Sequence, residues 1–137
     1  MNKYKILVVE DDPALLHSMR IRLGAEGYEV LSAQDAYQAV SSAAKHRPDL
    51  LILDIHIPAG DGFSIQERVR KMPGMELTPI IFVTGDASQT LGDKTHEVGA
   101  RWLLRKPFNS RDLIQIVRQT AAEWEAQRPA LTAVPLV

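Results

Sequence analysis

Five short, largely apolar runs recur along the chain, and each is followed by a stretch with apolar residues at helical spacing. Most of the runs are continuous rather than alternating, which is typical of strands covered on both faces, as in parallel sheets. The predicted strands are 6–9, 28–32, 50–53, 79–83 and 101–104. Strands that alternate with amphipathic helices predict an α/β fold: a doubly wound, five-stranded parallel sheet with helices on both faces.

Polar and helix-breaking residues set the boundaries of the predicted helices. Asp12 is a suitable N-cap for the first helix, and Pro13 then occupies its first position. The fourth helix, expected at about 87–98, is the weakest of the five because Gly92 lies in its interior.

Polar side chains follow four of the strands. In a doubly wound sheet, ligands bind beyond the carboxyl ends of the strands, where the strand order reverses. With the order 2-1-3-4-5, the first and third strands are neighbours at that point. The polar residues that follow the first, third, fourth and fifth strands are Glu10, Asp11, Asp54, Thr84 and Lys106. We therefore expect three carboxylates, a hydroxyl and an ammonium at one edge of the sheet.

This set of groups suits phosphoryl chemistry. Clustered carboxylates repel one another unless a cation lies among them, and a hard divalent ion such as Mg²⁺ prefers oxygen ligands. A lysine and a hydroxyl suit the charge of a phosphoryl group, and a carboxylate can accept that group as an acyl phosphate. Taken singly, Asp11 could be a helix cap and Lys106 a solvated charge. Their joint occurrence at four strand ends favours a site.

Four segments together resemble a response-regulator receiver domain, a flavodoxin-like fold. They are Ile6–Pro13, Leu53–Pro58 with Asp61-Gly62, Thr84-Gly85, and Lys106–Phe108, and the resemblance covers about residues 3–125. It implies a receiver domain at 1–127, followed at 128–137 by a C-terminal tail or the start of an interdomain linker. The apolar composition of 128–137 favours a linker over a free tail.

The resemblance implies a role for each acidic residue. Asp54 would be the phosphoacceptor. Glu10 and Asp11, together with Asp54 and the main-chain carbonyl of His56, would hold Mg²⁺ or Mn²⁺, with Asp11 a direct ligand and Glu10 acting through water.

The resemblance also assigns the residues that follow the fourth and fifth strands. Thr84 would be the switch hydroxyl, and Lys106 would pair with the phosphate. A cis peptide bond would precede Pro107, which is feasible because an X–Pro bond adopts cis at low cost. Gly85 would leave room for the phosphoryl group, and Asp86, with His56, would tune the lifetime of the acyl phosphate.

One position departs from the family pattern. Leu103 stands where relatives usually have Tyr or Phe, so a switch that rotates an aromatic ring would be altered. Trp102 is adjacent in sequence, but alternation along a strand directs its side chain to the other face of the sheet.

The function that the resemblance implies is a phosphorylation-dependent signalling switch. A partner histidine kinase or phosphotransfer protein would phosphorylate Asp54, and the switch would control an output domain or partner. The domain would be regulatory rather than an enzyme, assisting only its own Mg²⁺-dependent phosphorylation and dephosphorylation. Homodimers would form through the fourth helix, fifth strand and fifth helix, where Ile114 and Ile116 lie off the core stripe.

Two other functions compete with this one. A small phosphohydrolase with an aspartyl-phosphate intermediate would need a second Asp two residues after the nucleophile, and His56 stands there. A nucleotide- or flavin-binding domain would need a glycine-rich loop after the first strand. Glu10, Asp11 and Asp12 occupy that place and would repel phosphate.

The composition of the chain argues against several other classes of protein. The net charge of −1 gives no basic footprint for direct nucleic-acid binding by this segment. The chain has no cysteine, which excludes disulfides and thiolate metal sites. Its apolar runs are far shorter than a membrane span, and no signal-peptide pattern precedes the first strand. We therefore expect a cytoplasmic location without membrane contact.

Overall fold

The computed structural model describes residues 3–85 and 89–126 of the chain. Three parts of the chain named in the predictions lie outside these ranges. They are Asp86, the first residues of the predicted fourth helix (87–88), and the segment 128–137. The strands are β1 (Lys5–Val9), β2 (Glu29–Ala33), β3 (Leu50–Asp54), β4 (His56–Ile57), β5 (Gly60–Asp61), β6 (Ile80–Thr84) and β7 (Trp102–Arg105). The helices are α1 (Pro13–Ala25), α2 (Ala36–His46), α3 (Gly62–Arg70), α4 (Gln89–Glu97) and α5 (Ser110–Ala126).

Five of these strands form one parallel sheet in the order β2-β1-β3-β6-β7. The fourth and fifth strands predicted from sequence are β6 and β7, so the predicted order and the doubly wound fold are confirmed. Every residue of β3 and β6 is buried, in agreement with their continuous apolar sequences.

The sheet separates two apolar clusters, and successive residues of a strand contribute to opposite clusters. In β1, Leu7 and Val9 pack with α2 and α3, whereas Ile6 and Val8 pack with α1 and α5. In β7, Leu103 packs with the α2–α3 cluster and Trp102 with the α1–α5 cluster. The prediction that these two side chains face opposite sides of the sheet is therefore confirmed.

Side-chain caps begin the helices that flank the site. The carboxylate of Asp12 accepts hydrogen bonds from the backbone N–H groups of Ala14 (3.0 Å) and Leu15 (3.4 Å), as predicted for α1. The side-chain oxygen of Asn109 accepts a hydrogen bond from the backbone N–H of Asp112 (2.8 Å) and caps α5. These caps satisfy N–H groups that have no partner within the helix.

A small hairpin between β3 and α3 was not predicted from the sequence. β4 and β5 pair antiparallel, with His56 opposite Asp61 and Ile57 opposite Gly60. The backbone N–H of Ala36, at the start of α2, donates to the carbonyl of Pro58 (3.1 Å) and ties the hairpin to that helix. The loop that follows Asp54 is therefore an ordered structure.

The last helix corrects one prediction. Ile114 and Ile116, expected to lie off its core stripe, are half-buried and pack against the α1–α5 cluster. The buried face of α5 is therefore wider than the spacing of Leu113 and Val117 indicated.

Among the described residues, no helix is long and apolar enough to cross a membrane.

Candidate acidic site at the carboxyl edge of the sheet

Strand register brings the first two carboxylates together. Val9 of β1 is aligned with Leu53 of β3, so the residues that follow in each strand, Glu10 and Asp54, lie side by side. Both are buried, with 1% of Glu10 and 4% of Asp54 exposed. Two carboxylates in so dry a position require a compensating positive charge.

The ammonium of Lys106 supplies that charge. Its Nζ lies 2.8 Å from Oε1 of Glu10 and 2.8 Å from Oδ2 of Asp54. The backbone of Lys106 is held beside β6, because its N–H donates to the carbonyl of Thr84 (2.7 Å). The peptide bond from Lys106 to Pro107 is cis. The cis bond expected before Pro107 is thus present.

The second oxygen of each carboxylate accepts a backbone hydrogen bond. The N–H of Asp12 donates to Oε2 of Glu10 (3.1 Å), and the N–H of His56 donates to Oδ1 of Asp54 (3.0 Å). Each carboxylate therefore lies between a main-chain donor and the shared ammonium. Two donors of this kind hold a side chain in one orientation.

Burial and pairing act in opposite directions on the charges of this site. Burial raises the pKa of Glu10 to about 7, although the hydrogen bonds from Lys106 and from the backbone of Asp12 favour the charged form. Burial lowers the pKa of Lys106, but its hydrogen bonds to Asp54 and Glu10 outweigh this effect and leave the pKa raised. The lysine is therefore firmly cationic beside two carboxylates.

The acidic residues fit a divalent cation. Carboxylate oxygens of Glu10, Asp11 and Asp54 lie within 4.8 Å of one another, a spacing at which one ion can contact all three. Asp11 is exposed, so the cluster opens to solvent on one side. Hard oxygen donors with room for water are what Mg²⁺ prefers. The main-chain carbonyl of His56 stays a predicted ligand.

The other predicted residues occupy the surroundings of Asp54. Thr84 is buried at the end of β6, and Gly85 is exposed, with no atom of the described residues within 4 Å of the place where a Cβ would stand. His56 is exposed beside Asp54, and Leu103 is half-buried below the edge of the sheet. Within the part of the chain that the structure describes, nothing fills the space beside Gly85, as a phosphoryl group near Asp54 would need.

Gly62, which belongs to the Asp61-Gly62 pair of the family resemblance, has a packing role that the sequence did not reveal. A Cβ at Gly62 would meet the carbonyl oxygen of Asp54 at 2.9 Å, the Cα of Ile55 at 3.0 Å and a ring carbon of Phe82 at 3.1 Å. The N–H of Gly62 also donates to the carbonyl of Ile55 (2.9 Å). The first residue of α3 thus packs directly on the backbone that carries Asp54, and the sequence signal for it is the Asp61-Gly62 pair of the resemblance.

The fold and the site define a class: a doubly wound α/β protein with a lysine-paired carboxylate cluster at the switch point of its sheet. Residues 6–118 match the family model described as the response regulator receiver domain. The chain belongs to this family, whose members are the receiver domains of two-component signalling.

Relatives support the same family. The response regulator MprA of Mycobacterium sp. (strain KMS) is 35% identical over 136 residues, which is 96% of this chain but 58% of the relative. The chain thus spans little more than half of that protein. A CheY-like response regulator receiver domain protein from Methanospirillum hungatei JF-1 is 31% identical, with a TM-score of 0.83 over 92% of this chain and 99% of that chain.

A third similar protein bears on the metal. The receiver domain of the sensor histidine kinase PA1611 from Pseudomonas aeruginosa PAO1 is 31% identical. Its TM-score is 0.77, over 86% of this chain and 97% of that chain. That structure has a magnesium ion coordinated in its active-site cleft. The present chain has the acidic cluster of Glu10, Asp11 and Asp54 at the corresponding edge of its sheet.

Proposed function

We propose that this chain is a signalling switch that accepts a phosphoryl group on Asp54 from a phosphohistidine of a partner kinase or phosphotransfer protein. The observation that carries the proposal is the position of the Asp54 carboxylate. It is buried, it contacts the ammonium of Lys106 at 2.8 Å, and it lies within reach of a cation shared with Glu10 and Asp11.

The transfer follows from the groups around Asp54. A carboxylate oxygen of Asp54 forms a bond to phosphorus while the phosphorus–nitrogen bond of the donor imidazole breaks, and the nitrogen keeps the electron pair. Mg²⁺ held by Glu10, Asp11, Asp54 and the carbonyl of His56 would neutralise charge on the phosphoryl oxygens. Lys106 already lies at the acceptor and can pair with another of these oxygens.

The groups that follow β6 complete the proposed switch. Thr84 would donate its hydroxyl to the phosphoryl group, and Gly85, which has no side chain, would leave room for that group. The resulting acyl phosphate would be the signal, which an output domain or a partner detects. A histidine kinase would be the donor, homodimers would form through α4, β7 and α5, and His56 and Asp86 would tune the lifetime of the acyl phosphate.

The test is phosphorylation by acetyl phosphate with and without Mg²⁺, measured as the gain of one phosphoryl group in intact mass. We expect labelling of the wild type only with the metal, and none of Asp54→Asn. Asp61→Asn is a matched control, because it makes the same change in charge at an exposed helix cap where Asn serves as well as Asp. Labelling of Asp54→Asn at the wild-type rate would refute the assignment.

A further inference from the structure

The hairpin that follows β3 carries two main-chain groups that act on the acidic site. It begins at His56, whose backbone N–H donates to Oδ1 of Asp54 (3.0 Å). The main-chain carbonyl of the same residue is a Mg²⁺ ligand in the proposed function. Both groups belong to the backbone, so a substitution of the His56 side chain leaves them in the chain. The contacts that hold the hairpin therefore decide where these two groups lie.

The turn of this hairpin is strained and depends on contacts outside itself. Ala59 has a φ of 63°, a left-handed conformation that costs a residue with a Cβ about 1–2 kcal/mol. Strain of this kind persists only where the surrounding structure fixes it, and it is concentrated at functional sites. The two strands of the hairpin, β4 and β5, have two residues each, and an isolated two-stranded hairpin is at best marginally stable.

The first residue of α2 supplies such a contact on both sides of the turn. The N–H of Ala36 donates to the carbonyl of Pro58 (3.1 Å), directly before the strained residue. On the other side, a Cβ built at Gly60 would lie 3.1 Å from the Cβ of Ala36. Ala36 is itself fixed, because the carboxylate of Asp35 caps α2 through the N–H of Gln38 (2.7 Å). The turn is therefore held closely against a well-defined helix start.

We propose that Ala36 is a positioning residue of the acidic site. By holding the turn at Pro58 and Gly60, it sets the position of the His56 main chain, and through it the Asp54 carboxylate and the Mg²⁺ shell. The inference rests on the proposed function and deepens it, because α2 supplies none of the proposed ligands. Residues that orient the ligands of a metal change its affinity about 10–100-fold when they are replaced.

The first position of a helix allows this role to be separated from helix stability. Proline is favoured there and has no N–H, and Asp35 already has the extended backbone that precedes a proline (φ −147°, ψ 172°). Ala36→Pro therefore keeps the helix but replaces the donor to Pro58 with a ring carbon. Ala36→Gly is the matched control, because it keeps the donor and adds no atom, although glycine is the weaker helix former. A purely structural role would make the glycine variant the worse one.

Hydrogen exchange of the His56 amide, followed by NMR in EDTA, measures the hold on Asp54 without metal. We expect exchange about two- to tenfold faster in Ala36→Pro, the effect of losing one hydrogen bond that supports the turn, and a rate close to wild type in Ala36→Gly. The amide of Leu51, which donates to the carbonyl of Pro79 within the sheet, is the reference for the stability of the whole domain. The rates are compared as ratios to that amide.

The dissociation constant of Mg²⁺, from an NMR titration with magnesium chloride, is the second measurement. It should rise about tenfold in Ala36→Pro and stay within about twofold of the wild type in Ala36→Gly. Absence of Mg²⁺ binding by the wild type would contradict the proposed function. Unchanged His56 exchange in Ala36→Pro, or equal dissociation constants of the two variants, would overturn the role of Ala36.

Ala36→Val keeps the test decisive if the proline variant does not fold. Valine retains the N–H but adds two methyl groups to a Cβ that already leaves no room for a side chain at Gly60. We expect faster His56 exchange and weaker Mg²⁺ binding here as well, because the turn must move away from α2. Wild-type values of both quantities in Ala36→Val would likewise overturn the proposal.

Discussion

Replacing Lys106 by methionine should destabilise the metal-free protein and make its stability depend on Mg²⁺. Lys106→Met keeps most of the side-chain stem but leaves Glu10 and Asp54 facing each other without a cation. Removing one member of a buried ion pair costs about 3–5 kcal/mol. Here 27% of the lysine side chain is exposed, so water screens part of the interaction and lowers the cost. Protonation of Glu10 lowers the cost further, because burial already raises its pKa to about 7 and the loss of the Lys106 hydrogen bond raises it more. We therefore expect a loss of about 2 kcal/mol at pH 8.

Urea unfolding at pH 8, in EDTA and in excess magnesium chloride, measures this effect. Magnesium should stabilise Lys106→Met more than the wild type, because the ion supplies the positive charge that the variant lacks. Lys71→Met is the control: Lys71 pairs with Glu67 on the surface, where both side chains are more than two-thirds exposed, at 73% and 69%. A pair of that kind contributes about 0.5 kcal/mol or less. Equal stability of Lys106→Met and the wild type in EDTA, or equal stabilisation of both by magnesium, would refute the reasoning.

Two further predictions concern stability. Gly62→Ala should cost about 1–3 kcal/mol in urea unfolding, because the new Cβ would press on the backbone of Asp54, whereas Gly24→Ala, in open space within α1, should stabilise by about 0.5–1 kcal/mol. A Gly62→Ala variant as stable as the wild type would contradict the close packing. Burial, with the nearby Asp49, raises the pKa of Tyr4 above its ordinary value of 10. The unfolded chain therefore loses this proton first, and the contribution of the neutral phenol is present below pH 10 and lost as the pH rises above it. Tyr4→Phe should remove up to about 1.4 kcal/mol per pH unit of the alkaline loss of stability, and an unchanged slope would contradict the burial effect.

The sheet and the acidic cluster were accessible from sequence for one physical reason. A parallel strand covered on both faces needs a continuous apolar run, so the end of each run marks the edge of the sheet. Once the strand order is known, the residues that follow neighbouring strands must lie together. The alignment of Val9 with Leu53 then makes neighbours of Glu10 and Asp54. The roles of these residues in phosphorylation stay predictions, because the positions of the side chains do not by themselves demonstrate phosphoryl transfer.

The hairpin after Asp54 could not be predicted, because the residue in the left-handed position of its turn is an alanine. Ala59 has a φ of 63°, in the left-handed region that glycine or asparagine normally marks in a sequence. Pro58 before it indicated only a break in the strand. Contacts with α2, through the carbonyl of Pro58 and the N–H of Ala36, help to hold the turn in place. Tertiary contacts of this kind leave no local pattern.

The width of the buried face of α5 was underestimated for a similar reason. Helical spacing identified Leu113 and Val117, which face the sheet. The helix also packs beside α1, where Arg118 forms an ion pair with Glu26, so a second stripe containing Ile114 is covered as well. A helix that meets both a sheet and a neighbouring helix buries more than one narrow stripe, and spacing alone does not show which neighbours it will have.

Position 103 shows how far a single departure from a family pattern can be interpreted. Alternation along β7 correctly placed Leu103 on the α2–α3 side, where relatives usually have an aromatic ring. On that same side of the sheet lie two phenylalanine rings, those of Phe63 and Phe82, with their centroids 5.0 Å apart. The ammonium of Lys94, on α4, lies 4.4 Å from the ring of Phe63, a cation–π contact. The aromatic ring that contacts α4 is thus Phe63 of α3. This side of the sheet therefore keeps an aromatic contact with α4, although residue 103 is a leucine.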